Sequence, residues 1–172
     1  NRVMAELRKG RCYRKIKRPY TRKSKFKSKS FVKVVPASKI VKFDMGDTKR
    51  KFPCKVNLIS KDSVQIRNNA LESARQVVNR RLIKHLGPLG FSMKVNVYPH
   101  HVLRENKMLT GAGADRMQTG MAHSFGKAIG TAAQVKKGVT IMSVFVEEKD
   151  KETALECLKL APARLPCQCI AV

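Results

Sequence analysis

The sequence predicts an α+β fold, with two helices packed on a mixed β-sheet in a hammerhead-like arrangement and an extended basic arm at the N-terminus. Several segments after residue 38 alternate apolar and polar residues, as half-buried strands do. Two further segments carry apolar residues at the spacing of an amphipathic helix. Residues 8–33, in contrast, have almost no apolar periodicity. We therefore divide the chain into an arm, residues 1–38, and an α+β domain, residues 39–172.

Two strands are expected before the first helix. Residues 39–43 are apolar enough for a short strand, and a turn is predicted after it at residues 44–47. In the second strand, Cys54, Val56 and Leu58 alternate with polar residues. This alternation predicts one buried side and one solvent-facing side.

The first helix is predicted from sequence signals at both of its ends and from an apolar stripe between them. Asn69 and Glu72 have the spacing of an N-cap residue and its reciprocal partner, which together satisfy two backbone N–H groups. Gly87 followed by Pro88 is typical of a helix C-terminus. The apolar stripe between these ends consists of Leu71, Ala74, Val78 and Leu82.

The second half of the domain combines further strands with one more helix. Strands are expected at residues 91–97 and 101–104, and residues 139–146, apolar on both faces, should form a central strand. Asp150 is expected to cap the second helix, and residues 167–172 could add a last strand. The core-facing residues of this helix should be Ala154, Leu155, Leu158 and Ala161.

A long loop is predicted at residues 107–127, which are rich in glycine and polar residues. Its Thr-Gly-Ala-Gly-Ala-Asp motif at residues 110–115 invites comparison with a phosphate-binding loop. No Gly-Lys-Ser/Thr follows, however, so the nucleotide-binding pattern fails. The basic residues Arg104, Lys107 and Arg116 flank the motif, which makes the loop a candidate functional segment.

The charge balance indicates a polyanionic partner. The 172 residues include 37 Lys and Arg but only 12 Asp and Glu, a formal net charge of +25, and residues 1–51 hold 19 of the basic residues. Nucleic acid is the usual polyanion, because each neutralised phosphate also releases counterions. An anionic membrane is the alternative, but the sequence shows no amphipathic or lipidated anchor, no secretory signal and no apolar segment that could span a bilayer.

Within the arm, basic residues are interleaved with the aromatic residues Tyr13, Tyr20 and Phe26. Lys and Arg pair with phosphates, and Tyr or Phe can stack on an unpaired base. A solvated charge tail or a nuclear-import patch is the simpler alternative, but an import patch needs only a handful of charges, whereas this run exceeds 20 residues and carries rings. We therefore expect the arm to bind RNA and to order against it, because it lacks the apolar residues to fold on its own.

Metal binding and catalysis are not expected. Five cysteines are an odd number, typical of free thiols in a reducing cytoplasm, and only Cys167 and Cys169 are close in sequence. A zinc site would need four ligands in paired motifs, which the sequence lacks. His100, His101 and His123 have no accompanying nucleophile and orienting group. No cofactor, no metal and no enzymatic activity are predicted.

Several motifs occur in an order that is typical of one protein family. The most specific is His-Val-Leu-Arg-Glu-Asn-Lys-Met at residues 101–108, followed by Gly-Ala-Gly-Ala-Asp-Arg at residues 111–116. The other matching segments are residues 11–14, 18–21, 39–40, 43–46, 69–75, 120–121, 125–127 and 130–133. The sequence thus resembles, over nearly its whole length from Gly10, the large-subunit ribosomal protein family called L-ten-e in archaea and eukaryotes, the counterpart of bacterial L-sixteen.

The resemblance implies a structural protein of the large subunit, located on the cytoplasmic ribosome and monomeric within it. It implies binding to large-subunit rRNA near the central protuberance and contacts with neighbouring ribosomal proteins. It also implies that a loop at about residues 107–117 lies beside the peptidyl-transferase centre and helps to position aminoacyl-tRNA. Arg-Glu-Asn at residues 104–106 resembles archaeal members, whereas His100 stands where a Phe is usual, and Ala122 and His123 where a basic residue is expected.

Two sets of site residues are predicted from the charge pattern and the resemblance. The rRNA-binding set lies in the arm and the first helix: Arg8, Arg11, Tyr13, Arg14, Lys15, Lys17, Arg18, Tyr20, Arg22, Lys23, Lys25, Lys27, Arg75 and Arg80. The tRNA-proximal set lies in and around the long loop: Arg104, Lys107, Gly111, Gly113, Arg116 and Lys127.

Two rival functions are compatible with the basic arm. A free RNA-binding assembly factor or regulator would bind RNA but leave mature ribosomes. An RNA-modifying or hydrolytic enzyme would need a nucleophile or a cofactor site, and the sequence shows neither.

Overall fold

The computed structural model describes residues 8–18, 21, 24–105 and 126–172, and within these ranges the chain forms two helices and eight strands. The strands are β1 (Asp44–Gly46), β2 (Cys54–Ser60), β3 (Val64–Arg67), β4 (Ser92–Val95), β5 (His101–Glu105), β6 (Lys127–Val135), β7 (Thr140–Val146) and β8 (Cys169–Ala171). The helices are α1 (Asn68–Leu86) and α2 (Lys151–Leu158). Short 3-10 helices lie at Gly10–Tyr13, Lys27–Lys29, Glu148–Asp150 and Ala161–Arg164. The predicted α+β class is confirmed.

The strands form two sheets, and every pairing among the described strands is antiparallel. The prediction of a single mixed sheet was therefore wrong. The five-stranded sheet has the order β1-β4-β7-β2-β8, and the three-stranded sheet has the order β3-β6-β5. Parallel neighbours need a long crossover connection, usually a helix, that returns to the same sheet. Here α1 instead leads from β3 in one sheet to β4 in the other. This crossover therefore produces no parallel pair.

One hydrophobic core joins both sheets to the helices. Helix α1 contacts β3 and β6 of the three-stranded sheet, α2 contacts β2 and β7 of the five-stranded sheet, and the two helices contact each other. Strand β7 is the central strand that its sequence predicted. It pairs with β4 on one side and β2 on the other, and Ile141, Met142 and Val144 are fully buried.

The predicted stripe of α1 is confirmed, whereas the predicted cap is wrong. Leu71, Ala74, Val78 and Leu82 are all buried, and α1 ends at Leu86, after which Gly87 has a φ of 75°. The helix begins at Asn68 rather than after Asn69, and no side chain caps its first turn. The reason lies in packing: the Asn68 amide donates to Thr131 Oγ1 of β6 at 3.0 Å and so fixes the first turn against the sheet.

Glu72, the expected partner of the cap, is used elsewhere in α1. Its carboxylate accepts hydrogen bonds from Arg75 Nη2 at 2.6 Å and Gln76 Nε2 at 2.9 Å. The hydrogen bond from Arg75 holds the pKa of Glu72 below its ordinary value. At α2, Asp150 occupies the N-cap position as expected but makes no side-chain capping bond. Of its expected core residues, Ala154, Leu158 and Ala161 are buried, and Leu155 is half-buried against the core.

Strands β2, β4, β5, β7 and β8 lie where the sequence predicted them, whereas β1 was misplaced and β3 and β6 were missed. Residues 39–43 are not a strand, although Ile40 is buried. The expected turn at residues 44–47 contains β1, in which Met45 lies opposite Met93 of β4. Strand β3 alternates apolar and polar residues, but over only four positions before α1 begins, and β6 has no sustained alternation. Each strand carries a glutamine that makes hydrogen bonds within the fold, Gln65 and Gln134. The part of the predicted loop at residues 107–125 lies outside the described residues.

Gly46 lies so close to the backbone of Phe91 that no residue type with a side chain fits at this position. Its φ is 78°, and a Cβ built on it would lie 2.2 Å from the carbonyl oxygen of Phe91, which accepts a hydrogen bond from the Asp47 N–H at 2.9 Å. We predict that Gly46→Ala lowers the free energy of unfolding by about 2–4 kcal/mol, from the left-handed backbone and the displaced strand. Gly138→Ala is the matched control, since Gly138 has a φ of 83° and nothing within 4 Å of its Cβ position.

The control should lose only about 1 kcal/mol, because it has the same backbone cost without the overlap. Urea denaturation of the two variants and the wild type measures the difference. Equal losses in both variants would show that the contact between Gly46 and Phe91 places no constraint on the edge of the sheet.

Candidate nucleic-acid interface

The basic segment at residues 8–18 is docked on the three-stranded sheet. Two glutamines hold its backbone: Gln65 Nε2 donates to the carbonyl of Tyr13 at 3.0 Å, and Gln134 Nε2 donates to the carbonyl of Lys17 at 2.7 Å. The backbone N–H of Gln65 also donates to the carbonyl of Arg14 at 2.9 Å. The sequence predicted that the arm orders against RNA, but in the structure this part of it already has fixed partners in the domain.

A single carboxylate, that of Glu105 at the end of β5, holds the start of the docked segment. It forms an ion pair with Arg8 at 2.5 Å and accepts a hydrogen bond from the Tyr13 hydroxyl at 2.9 Å. Arg67 completes the cluster, because its Nη1 donates to the carbonyl of Arg8 at 2.9 Å and its guanidinium lies 5.5 Å from the centre of the Tyr13 ring. We call Arg8, Tyr13, Arg67 and Glu105 the Glu105 cluster.

The surroundings of Tyr13 change its titration. Burial raises its pKa, and the hydrogen bond to Glu105 and the negative charge of that carboxylate raise it further, to about 12. The phenol is therefore neutral at physiological pH and donates its proton to Glu105. A half-buried ring fixed in this way acts as an anchor for the segment rather than as a freely rotating stacking group.

The cations of the docked segment face solvent while its backbone is held. Among the described residues of the predicted rRNA-binding set, exposed side chains are found at Arg8, Arg11, Arg14, Lys15, Lys17, Arg18, Lys25, Lys27 and Arg80. Tyr13 and Arg75 are partly buried. Tyr20, Arg22 and Lys23 lie outside the described residues, as do Lys107, Gly111, Gly113 and Arg116 of the tRNA-proximal set. The two remaining members of that set, Arg104 and Lys127, flank the undescribed stretch, with Lys127 exposed and Arg104 half-buried.

A cavity of about 340 Å³ lies between the docked segment and β5. Lys15, Lys17, Arg18 and Arg104 are among its lining residues, and so is the buried His101. Burial lowers the pKa of His101, so this imidazole is neutral at physiological pH. The cavity therefore has cationic side chains in its lining around an uncharged histidine, which suits an anionic group such as a phosphate.

The α1 surface offers a second, weaker basic patch. A shallow cleft there is lined by Arg75, Gln76, Asn79, Arg80 and Ile83. Arg75 forms an ion pair with Glu72, and the hydrogen bond between them raises the pKa of Arg75. Its guanidinium also lies 3.1 Å from the sulfur of Met45. Arg80 is exposed. Of the two predicted residues on α1, only Arg80 therefore has its charge facing solvent without such an ion pair.

Sequence reasoning missed the residues that position the site, namely Gln65, Gln134 and Glu105. They carry no signal of composition, since two are neutral amides and the third is a single acid in a basic stretch. Glu105 is nonetheless the only acidic residue between Glu72 and Asp115, and this isolation could have marked it as a partner for the arm.

The described residues offer neither a metal centre nor a membrane span. No group of three or more His, Cys, Asp or Glu side chains within the described ranges could hold a metal ion. Cys167 and Cys169 come together, with their Sγ atoms 3.5 Å apart, but they are only a pair. No helix in the described part of the chain is long and apolar enough to cross a membrane.

Comparison of the sequence with known proteins shows which family the chain belongs to. The model of the family described as ribosomal protein L16p/L10e matches residues 16–172. The chain belongs to this family. The match covers both sheets, both helices and the C-terminal part of the docked segment, so it extends over the whole domain described above.

Three archaeal relatives show how far the similarity extends. All three are called large ribosomal subunit protein uL16. The protein of Methanococcus maripaludis is 46% identical over 164 residues, which is 95% of this chain and 91% of the relative. The Staphylothermus marinus protein is 45% identical, over 93% of this chain and 89% of the relative, and the Archaeoglobus fulgidus protein is 42% identical, over 91% and 86%. The expected archaeal-type large-subunit ribosomal protein is therefore confirmed, together with its place on the ribosome.

The Glu105 cluster predicts how Tyr13 titrates. In the wild type Tyr13 should titrate near pH 12, well above the ordinary value of 10.0. Glu105→Gln should lower this pKa towards the ordinary value, though not fully, because the burial remains. NMR titration of tyrosine Cζ signals measures the change, and Tyr98 serves as the internal control, since it lies outside the cluster.

The same shift predicts a stability effect. Because Tyr13 binds its proton more tightly in the folded state, the free energy of unfolding should fall as pH rises from about 10 to about 12. This part of the decrease should be absent from Tyr13→Phe. A Tyr13 pKa unaffected by Glu105→Gln would mean that the cluster does not hold the segment in solution.

Proposed function

We propose that this protein is a structural constituent of the large ribosomal subunit that binds rRNA near the central protuberance and helps to position aminoacyl-tRNA beside the peptidyl-transferase centre. Its partners are large-subunit rRNA, tRNA and neighbouring ribosomal proteins, and it acts as a monomer within the cytoplasmic ribosome. It catalyses no reaction itself. Membership of the L16p/L10e family supports the ribosomal part of the proposal, and the charge of the docked segment supports the part that concerns RNA.

The observation that carries the proposal is the arrangement of residues 8–18. Its carbonyl groups are bound by Gln65, Gln134 and Arg67, while Arg11, Lys15 and Arg18 remain exposed. A row of cations on a fixed backbone can meet RNA phosphates without first losing backbone freedom, which is a large cost for a flexible arm. Each phosphate contact also releases counterions, and this release drives binding to RNA.

The distribution of acids along the chain supports RNA binding through the docked segment. Five of the 12 acidic residues lie between Glu147 and Glu156, in α2 and in the turn before it. One of them, Glu147, is paired with Arg50 at 2.5 Å. An RNA phosphate would be repelled from this acidic region and attracted to the docked segment, which carries no acid between Arg8 and Arg18.

The tRNA part of the proposal rests on the resemblance and on the loop at residues 107–117, outside the described residues. Strand β5 ends at Glu105, before this loop, and β6 begins at Lys127, after it, and both strands belong to the three-stranded sheet. Arg104 and Lys127 thus belong to the sheet on which the docked segment lies, and this position supports the proposal that the sheet directs cations to tRNA as well as to rRNA.

Sedimentation separates this proposal from its rival, a free RNA-binding assembly factor or regulator. Large subunits are washed at high salt and run on a sucrose gradient, and the protein is detected by immunoblotting. A structural constituent stays with the large subunit through the wash. Release of the protein into the light fractions, or its presence on immature particles alone, would support the rival.

Replacement of a single lysine tests the phosphate contacts. Lys15→Ala should lower the magnitude of the log–log salt slope of rRNA binding by about one unit if Lys15 makes one full phosphate contact. The matched control is Lys149→Ala, an exposed lysine in the acidic region. Binding is measured over a series of salt concentrations. If the slope is unchanged in Lys15→Ala, or falls equally in both variants, Lys15 is not one of the phosphate-binding residues.

Shortening the loop tests the tRNA role separately. Met108 is joined to Met117 through two glycines, and occupancy on purified large subunits is measured alongside the rate of peptide synthesis. We expect near-normal occupancy with a slower rate, because the Gly- and Ala-rich loop supplies close backbone approach to tRNA rather than core burial. Loss of occupancy would make the loop an anchor, and no change in either quantity would make it a spacer.

A further inference from the structure

A second cavity, of about 320 Å³, opens beside the Glu105 cluster, and we call it the Asn69 groove. It lies where the docked segment, the start of α1 and the strands β5 and β6 meet. Leu103, Ile129 and Gly130 give it walls that are mainly apolar, and Asn68, Asn69 and Thr131 are its neutral polar lining residues. The groove is distinct from the cationic cavity described above, although Tyr13 and Leu103 line both.

The polar part of this groove contains an acceptor without a partner. Asn68 is satisfied, because its amide donates to Thr131. Asn69 is not: its Oδ1 is buried and has no hydrogen bond in the described part of the chain. An unpaired buried acceptor of this kind is destabilising, so its presence calls for an explanation. It is neither a helix cap, as expected from the sequence, nor part of the Asn68 contact.

Cations surround the groove. Lys39 and Lys127 are exposed, and Arg8 and Arg67 of the Glu105 cluster also line it. Arg8 is neutralised by Glu105, so the cationic character comes mainly from the two lysines and Arg67. Apolar walls, an unpaired amide and adjacent cations match the three parts of a nucleotide, which are the flat base, its hydrogen-bonding edge and the phosphate.

We propose that the Asn69 groove binds one unstacked adenine nucleotide of the rRNA. The base lies between the apolar side chains of Leu103 and Ile129, and its exocyclic amino group donates to Asn69 Oδ1. The amide nitrogen of Asn69 donates in turn to N7, which is the pairing that Asn and Gln side chains make with adenine. Lys39 and Lys127 approach the flanking phosphates. This inference rests on the proposed function, since it names the feature of rRNA that the same sheet recognises.

The proposal requires a small movement of Asn69. Its Oδ1 is shielded from solvent in the free protein, so the amide turns about its Cβ–Cγ bond when the base enters. The change breaks no described hydrogen bond of that oxygen, because it has none. RNA-binding proteins commonly read unpaired bases in this manner, by extruding them from the stack and bonding their edges.

A neighbouring protein is the alternative occupant, because an apolar side chain could also enter between Leu103 and Ile129. Such a side chain would leave Asn69 Oδ1 unpaired and would make no use of Lys39 and Lys127. The unpaired acceptor and the adjacent cations therefore favour a nucleotide, and occupation by a protein is one outcome of photo-crosslinking from residue 129.

A comparison of two nucleotides that differ at one position tests the hydrogen bond. Adenosine 5′-monophosphate and inosine 5′-monophosphate differ at the six-position, where the amino group is replaced by a carbonyl oxygen. In NMR titrations of the full chain, the Asn69 side-chain amide and the Ile129 methyl signals should shift with a Kd about tenfold lower for the adenine nucleotide. Ribose 5-phosphate, which has no base, should leave the Ile129 methyl unmoved.

Variants of the groove give the matched controls. Asn69→Ala should abolish the preference for adenine but leave the melting temperature unchanged or higher, since the lost oxygen has no partner in the fold. Ile129→Ala should weaken both nucleotides, whereas Val139→Ala, an exposed apolar residue outside the groove, should weaken neither. Equal affinities for the two nucleotides in the wild type would overturn the assignment of the hydrogen bond.

Photo-crosslinking distinguishes rRNA from a free nucleotide as the source of the base. A benzophenone side chain is introduced at residue 129, the protein is assembled into large subunits, and the crosslinked partner is mapped after irradiation. The expected partner is one unpaired adenine of the rRNA, and a probe at residue 139 should not reach it. A crosslink to a ribosomal protein, to paired nucleotides only or to nothing would overturn the proposal.

The two proposals fail in different ways. Normal co-sedimentation with large subunits, together with no adenine preference and no crosslink from residue 129, would remove the groove alone. Loss of co-sedimentation in the wild type would remove the ribosomal role on which the groove depends.

Discussion

The arrangement of the RNA-facing surface depends on the ion pair and the hydrogen bond that the Glu105 carboxylate forms with the docked segment. A chain with 37 basic and 12 acidic residues repels itself, and the repulsion is strongest where the docked segment brings many cations together. Glu105 offsets this locally by pairing with Arg8 and accepting from Tyr13. Because Tyr13 lines both the cationic cavity and the Asn69 groove, the position of this one ring shapes both cavities.

Apolar periodicity predicted the elements that the core holds in place, because a side chain facing the core must be apolar at the period of its element. It therefore predicted β2, β4, β7 and the buried stripe of α1. It did not reveal β3, whose Val64 and Ile66 alternate with polar residues over only four positions, or β6, which has no sustained alternation. The misplaced strand β1 has a different origin: its position depends on how closely Gly46 approaches Phe91, a tertiary contact without a local signal.

The sequence predicted the type of partner of the candidate site, but not the contacts that position its residues. Composition alone indicated a nucleic-acid partner, and ordered motifs indicated the ribosomal family, which the comparison with archaeal relatives bears out. Which cations stay exposed follows from side-chain pairing that composition does not show: Arg75 is engaged by Glu72 one turn earlier in α1, whereas Lys15 and Lys17 are not paired with any acid in the described contacts. Asn69 illustrates the same limit, since its spacing from Glu72 fits a helix cap, yet packing of Asn68 on Thr131 determines the first turn.

The central claim is that residues 8–18 are fixed on the three-stranded sheet before RNA is bound. Hydrogen exchange at the Gln65 amide of the free protein tests it most directly, because this N–H donates to the Arg14 carbonyl of the docked segment. The amides of Val64 and Ile66, which by strand alternation point to β6, provide the internal reference. We expect protection at Gln65 within the range of its two neighbours, and loss of it in Glu105→Gln. Exchange at Gln65 as fast as in an unfolded peptide, with Val64 and Ile66 protected, would contradict the claim.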